Sequence, residues 1–128
     1  DLAFIDKRRP KGTHNVAEAT DVVGNVEGGV CVLVDDMIDT AGTVSEASRA
    51  LKKLGAEDIY ICATHALLSG PARQRLNDAP VKEVAVTDTI AIPEERRPSQ
   101  LCVLTVGDLL SKAIKFTHAE QSVSSLFD

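Results

Sequence analysis

Apolar residues fall along the chain in short unbroken runs, separated by stretches whose apolar positions recur at helical spacing. A continuous apolar run bounded by turn residues reads as a strand covered on both faces of a sheet. Val30 to Val34, Ile59 to Thr64, Val84 to Val86 and Cys102 to Val106 have that form, and Leu2 to Ile5 is a shorter case. Between them, Val44, Ala47, Leu51 and Leu54 share one helical face, which predicts a helix over Thr43 to Leu54 with Gly55 as its stop. Pro71 to Leu76 reads as a helix with Pro in its first turn. Gly107 to Thr117 reads as a helix with Leu109, Leu110, Ala113 and Ile114 turned inward. Val16 to Val23 carries a weak signal for a short helix or an irregular turn, and Asn25 to Gly29 is a turn cluster. Strands alternating with helices predict an α/β fold, three-layered around a central, mostly parallel sheet with helices on both faces.

Length adds that residues 1–128 make one domain, with no internal repeat and no second boundary. The chain starts at Asp1 rather than Met, the expected mark of a piece of a longer protein. Its apolar runs are too short for a membrane span and no signal-peptide pattern opens it, so a cytoplasmic setting without membrane contact is expected. A net charge of −5 and only four aromatic residues argue against nucleic acid as a partner. Cys31, Cys62 and Cys102 each lie in an apolar run, at spacings that match no metal motif. They read as small buried hydrophobes.

The chemistry concentrates after the Val30 strand. Its apolar run ends in Asp35 and Asp36, and Asp39-Thr40-Ala41-Gly42-Thr43 leads into a helix start. In an open parallel sheet, ligands bind outside the carboxyl ends of the strands. Two carboxylates there can accept from vicinal ribose hydroxyls, and the helix-start amides can hold a phosphate. On a regular strand Asp35 and Asp36 point to opposite faces, so they converge only at a bend. Gly42 would allow close backbone approach or a positive φ. A lone Thr40 or Thr43 would be read as a helix cap, and a lone acid as a solvated loop residue. All of them together, in this order, point to a sugar-phosphate cradle. A Gly-Lys-Ser/Thr phosphate loop is excluded, because that sequence is absent here.

A second feature is local. Lys7, Arg8, Arg9 and Lys11 bring four of the fourteen basic residues into five positions of an acidic chain. In a mobile loop with Gly12, such a cluster can neutralise a polyphosphate in transfer. The ordinary reading of such a cluster is surface charge.

Val-Asp-Asp-Met-Ile-Asp-Thr-Ala-Gly-Thr, ending at Thr43, resembles the phosphoribosyl diphosphate loop of the type I phosphoribosyltransferase fold. Asp-Lys-Arg-Arg-Pro from Asp6 resembles the catalytic flexible loop of the ribose-phosphate diphosphokinase (phosphoribosyl pyrophosphate synthetase) family. Further matches follow in order: Val-Gly-Asn-Val-Glu-Gly from Val23, Ala-Thr-His from Ala63, Ser-Gly-Pro-Ala from Ser69, Thr-Asp-Thr-Ile from Thr87 and Ser-Val-Ser-Ser-Leu-Phe from Ser122. The resemblance covers essentially the whole chain. Two stretches depart from it: the basic loop is slightly longer than the commonest bacterial form, and Thr89-Ile90-Ala91-Ile92-Pro93 replaces a shorter Thr-Ile-Pro.

The resemblance implies a C-terminal domain that holds ribose 5-phosphate. The family moves the diphosphoryl group of ATP to the anomeric hydroxyl, with Mg²⁺ as cofactor, giving phosphoribosyl diphosphate and AMP. It implies that Lys7 and Arg9 stabilise the group in transfer. Asp35 and Asp36 would hold ribose hydroxyls, while Asp39, Thr40, Ala41, Gly42 and Thr43 would form the 5-phosphate loop. Ser122 and Ser124 would lie near a regulatory phosphate or nucleotide site. An N-terminal domain of the same fold would supply most of the ATP and metal contacts, so no metal ligand is assigned in this chain, and the assembly would be a homo-oligomer. Two other readings stay open: a non-catalytic, synthetase-associated regulatory protein, and a salvage phosphoribosyltransferase.

Outside these motifs, His65 reads as a hydrogen-bonded corner residue at a strand end, and Asp88 as equally structural or functional. Arg96 and Arg97 read as a solvated loop.

Overall fold

Four of the apolar runs lie side by side in one parallel sheet. In the computed structural model, which describes the backbone of residues 4–8 and 19–127 and the side chains of residues 24–127, these are β3 (Val30–Ile38), β4 (Asp58–Ala66), β5 (Glu83–Thr87) and β6 (Leu101–Leu104). Their order across the sheet is β3-β4-β5-β6, all pairs parallel, with Asp35 opposite Ala63 and Met37 opposite His65. β1 (Phe4–Arg8) and β2 (Ala19–Val23) form a separate antiparallel pair.

The helices α1 (Gly42–Lys53) and α2 (Ala72–Asn77) cover one face of the parallel sheet. Val44 and Leu76 pack with Ile61, Ala63, Val84 and Val86 in one cluster, while Leu51 joins Ile59 and Val26 in a second. Fully buried aliphatic side chains of this size each contribute about 1.5–3 kcal/mol, so the covered face anchors the strand ends that carry the chemistry. Gly55 ends α1 as predicted: at φ 89° its N–H bonds Lys52 O at 3.1 Å, and Ala56 N–H returns to Leu51 O at 3.1 Å.

Several expectations are corrected. Ala19–Val23 is a strand rather than a helix or irregular turn, in keeping with the β-branched Thr20, Val22 and Val23. Lys7 lies in β1 opposite Thr20, and Arg8 opposite Ala19, so the first residues of the expected mobile loop are paired backbone. Residues 9–18, including Arg9, lie outside the described residues, as do Leu2 and Ala3. β3 runs four residues beyond its apolar segment, through both acids, because β4 stays in register beside it.

The parallel α/β sheet is as expected. Of its two helical layers, the described residues supply one. On the opposite face Val30, Val32 and Val34 are 61%, 56% and 80% exposed. The apolar stripe of α3 (Gly107–His118) was expected to turn inward, but Leu109, Leu110 and Ile114 are exposed. Periodicity shows a face suited to burial without saying what covers it. Among the described residues α3 packs mainly on the short 3-10 turn Val123–Leu126. The three cysteines are free and half-buried rather than fully buried.

Candidate functional site

Three predicted strand ends meet at the carboxyl edge of the sheet. The best-formed is the turn from β3 into α1. The positive φ that this turn needs belongs to Ala41, at φ 58° and ψ 13°, and not to Gly42. Ala41 is the residue before the first helical one, and its methyl is buried against the core. An L-residue in the left-handed region costs about 1–2 kcal/mol, so the surrounding contacts must hold it there.

Those contacts come from β4 and α2. Leu67 and Leu68 N–H both donate to Ile38 O, at 3.0 and 3.2 Å, and Ser69 N–H donates to Asp39 O at 2.9 Å. The segment after β4 therefore clamps the base of the loop. Leu68 has a positive φ of its own and a buried side chain. From α2, Arg75 Nη1–H donates to Thr40 O at 3.0 Å.

The left-handed residue followed by a helix start lays successive N–H groups along one concave surface, a backbone arrangement that binds anions. The first N–H groups of a helix have no acceptor within it. No side chain caps α1, so neither Thr40 nor Thr43 satisfies them. Helix-start amides carry partial positive charge, worth about 0.3–1 kcal/mol to an anion at an exposed end. A cavity of about 150 Å³ lies here, lined by Asp35 and Met37 to Val44.

Asp35 lines this cavity and is half-buried, and its Oδ1 accepts from Asp36 N–H at 2.9 Å. Asp36 is exposed and lies outside the lining, on the alternate face of β3. The bend that would bring both carboxylates together is not present. Asp39, Thr40, Ala41, Gly42 and Thr43 all line the cavity. Lys7 is placed in β1, with its side chain outside the described set. Ser122 and Ser124 are exposed and joined Oγ to Oγ at 2.6 Å.

The other two strand ends are built from hydrogen bonds. His65 Nδ1 lies 2.9 Å from Thr89 Oγ1. Thr87 and Thr89 hydroxyls both donate to Thr64 O, at 2.6 and 3.2 Å. Thr89 Oγ1 therefore has a lone pair left for an Nδ1–H, which makes His65 a hydrogen-bonded corner residue. Asp88 holds the turn into α3: Oδ1 accepts from Val106 N–H at 2.9 Å. The Thr105 hydroxyl, and next the Val106 N–H, hold the Asp88 carboxyl below its ordinary value. Arg97 Nε–H donates to Ile92 O at 3.1 Å and faces Glu94 at 3.5 Å, so it braces its loop rather than standing in solvent alone.

Arg75 is the residue that sequence reasoning missed. It sits in a short helix after Pro71, with no motif around it, and only the packing of α2 on the loop brings it to Thr40.

Among the described residues no three His, Cys, Asp or Glu side chains converge to hold a metal. Mg²⁺ commonly takes one or two carboxylates, several waters and the phosphates of its substrate. The donor set here fits no cage of its own. No described helix is long and apolar enough to cross a membrane.

Comparison with known proteins gives the family and the fold. A family model described as "Phosphoribosyl synthetase-associated domain" matches residues 5–128. A ribose-phosphate pyrophosphokinase of Synechococcus elongatus is 55% identical over 127 residues, covering 98% of this chain and 38% of that protein. The ribose-phosphate pyrophosphokinase of Bacillus subtilis is 50% identical over 126 residues, 98% of this chain and 39% of its own length. The crystal structure of phosphoribosylpyrophosphate synthetase from Mycobacterium smegmatis superposes with a TM-score of 0.83 at 44% identity, over 93% of this chain and 37% of that one. The chain thus spans about two fifths of the length of the curated relatives it matches.

Proposed function

The chain belongs to the phosphoribosyl synthetase-associated domain family, and from that premise we propose that it is the C-terminal, ribose 5-phosphate-holding domain of a ribose-phosphate pyrophosphokinase. The observation that carries this reading is the uncapped start of α1 behind a left-handed Ala41, opening on a small cavity with Asp35 at its rim. The loop Asp39 to Thr43 would receive the 5-phosphate on its N–H groups and Thr hydroxyls. Asp35 would accept hydrogen bonds from the ribose hydroxyls and so orient the anomeric carbon, while Asp36 lies outside the cavity on the alternate face of β3.

In the proposed reaction the anomeric hydroxyl oxygen attacks the β-phosphorus of ATP and its proton passes to solvent. The bond between that phosphorus and the oxygen shared with the α-phosphate breaks, and AMP leaves. Phosphoryl transfer has little covalent work for side chains, so positioning and charge neutralisation carry it. Lys7 would supply a point charge and Arg9 a planar fork to the diphosphoryl oxygens. The charge that Mg²⁺ would supply to the phosphates of ATP is a further contribution, for which the described carboxylates form no cage. The proposal places the enzyme in the cytoplasm as a homo-oligomer, with Ser122 and Ser124 near a regulatory anion site.

A non-catalytic regulatory relative would share the family. The acid pair, the loop and Lys7 are all present here, which favours the enzyme. With only four aromatic residues and no Trp to stack on adenine, the 128-residue chain alone should bind ribose 5-phosphate without releasing AMP. Lys7→Ala in the full-length protein tests the reading. The turnover rate should fall by about two orders of magnitude or more, the scale of losing one transition-state contact to developing charge, with ribose 5-phosphate affinity kept. An unchanged rate would remove Lys7 from the mechanism.

A further inference from the structure

The phosphate loop is acidic in its own residues: Asp35 and Asp39 line a cavity proposed to take a phosphate. A cation reaches it from α2. Arg75 Nη1 lies 3.0 Å from Thr40 O and 3.3 Å from the point where a Cβ on Gly42 would stand. At its other end, the Arg75 carbonyl accepts from Ser45 Oγ at 3.3 Å. Ser45 lies in the first turn of α1 and is fully buried. Arg75 thus spans the turn, with its main chain on the helix and its guanidinium on the loop.

We propose that Arg75 is the positioning residue of the phosphate loop, and that Gly42 is small because a Cβ there would press on the guanidinium, 3.3 Å away. The proposal deepens the ribose 5-phosphate reading and rests on it. In a trans peptide the carbonyl and the following N–H point in opposite directions. Fixing Thr40 O on the guanidinium therefore fixes the direction of the Ala41 N–H. It also holds the Thr40–Ala41 peptide plane that the left-handed Ala41 needs, so the N–H groups of residues 41 to 43 stay aligned for an anion. An arginine suits this task, since its planar fork can bond a carbonyl and keep further N–H groups for other acceptors. Gly42 has no positive φ to explain it, and the nearest atom to its absent Cβ is Arg75 Nη1, at 3.3 Å.

The test is a double-mutant cycle in the full-length protein with Gly42→Ala and Arg75→Met, read by steady-state kinetics. Arg75→Met should raise KM for ribose 5-phosphate about tenfold, the effect of losing a hydrogen bond to a charged group. The rate constant and KM for ATP should stay within twofold, which a general folding defect would not allow. Arg75→Lys should recover part of the loss. Gly42→Ala should raise KM in the parent protein and add little once Arg75 is Met, because its obstacle is gone. Parent-like KM in Arg75→Met, or the same Gly42→Ala penalty in both backgrounds, would overturn the role of Arg75. Asp35→Ala separates the two levels. If it raises KM for ribose 5-phosphate while Arg75→Met does not, Arg75 alone is refuted. If it too leaves KM unchanged, the ribose 5-phosphate reading fails with it.

Discussion

Replacing Asp35 probes the sugar side of the cradle, and its cost can be worked out from the contacts. The carboxylate is half-buried at the cavity rim, with one oxygen accepting from Asp36 N–H and the other left for a ligand hydroxyl. Asp35→Asn keeps the shape and the bond to Asp36 N–H but removes the charge. Hydrogen bonds to charged groups are worth about 1.5–3 kcal/mol and neutral ones about 0.5–1.5. The difference, about 1–1.5 kcal/mol, is roughly a five- to tenfold rise in KM for ribose 5-phosphate. Asp35→Ala removes the whole bond, roughly ten- to hundredfold on the same scale. Water can serve the Asp36 N–H in that variant, since Asp36 is exposed. The assay is AMP release by the full-length enzyme with ribose 5-phosphate varied at saturating ATP. Asn should cost less than Ala, and KM for ATP should stay within twofold. A KM for ribose 5-phosphate within twofold of the parent in Asp35→Ala would refute the assignment.

Two further outcomes concern the frame around the site. Leu76→Ala empties a fully buried position under the loop and should cost about 2–5 kcal/mol; the denaturation midpoint should fall at an unchanged slope, and an unmoved midpoint would show that α2 is not packed as described. Asp88 titrates below its ordinary value when folded, because the Thr105 hydroxyl and the Val106 N–H favour its charged form. Its contribution to stability is therefore present above the unfolded carboxyl value of about 3.9 and is lost as pH falls through the lower folded value. Thermal melts between pH 6 and pH 2 should show a shallower acid decline for Asp88→Asn than for the parent. Superimposable declines would contradict this.

Much of the site was legible because its parts are local. The run from Val30 to Thr43 names a strand, a turn and a helix start in fourteen consecutive residues, and all three are found there. Conformation inside the turn was less legible: a Gly beside an Ala suggests that Gly takes the positive φ, yet Ala41 does. The contacts around it come from afar: Arg75, thirty-three residues beyond Gly42, bonds Thr40 O just before Ala41. β2 was missed because Ala19 to Val23 has polar residues mid-run, and its strand state comes from pairing with β1. The spacing of Leu109, Leu110 and Ile114 marks a stripe on α3, yet these side chains are exposed. Periodicity is a property of one helix, whereas burial requires a second surface.

The most direct test is a crystal structure of the full-length protein with ribose 5-phosphate. The 5-phosphate should sit within hydrogen-bond distance of the amides of Ala41, Gly42 and Thr43, with a ribose hydroxyl on Asp35. A ribose 5-phosphate bound elsewhere, leaving those amides to water, would contradict the cradle.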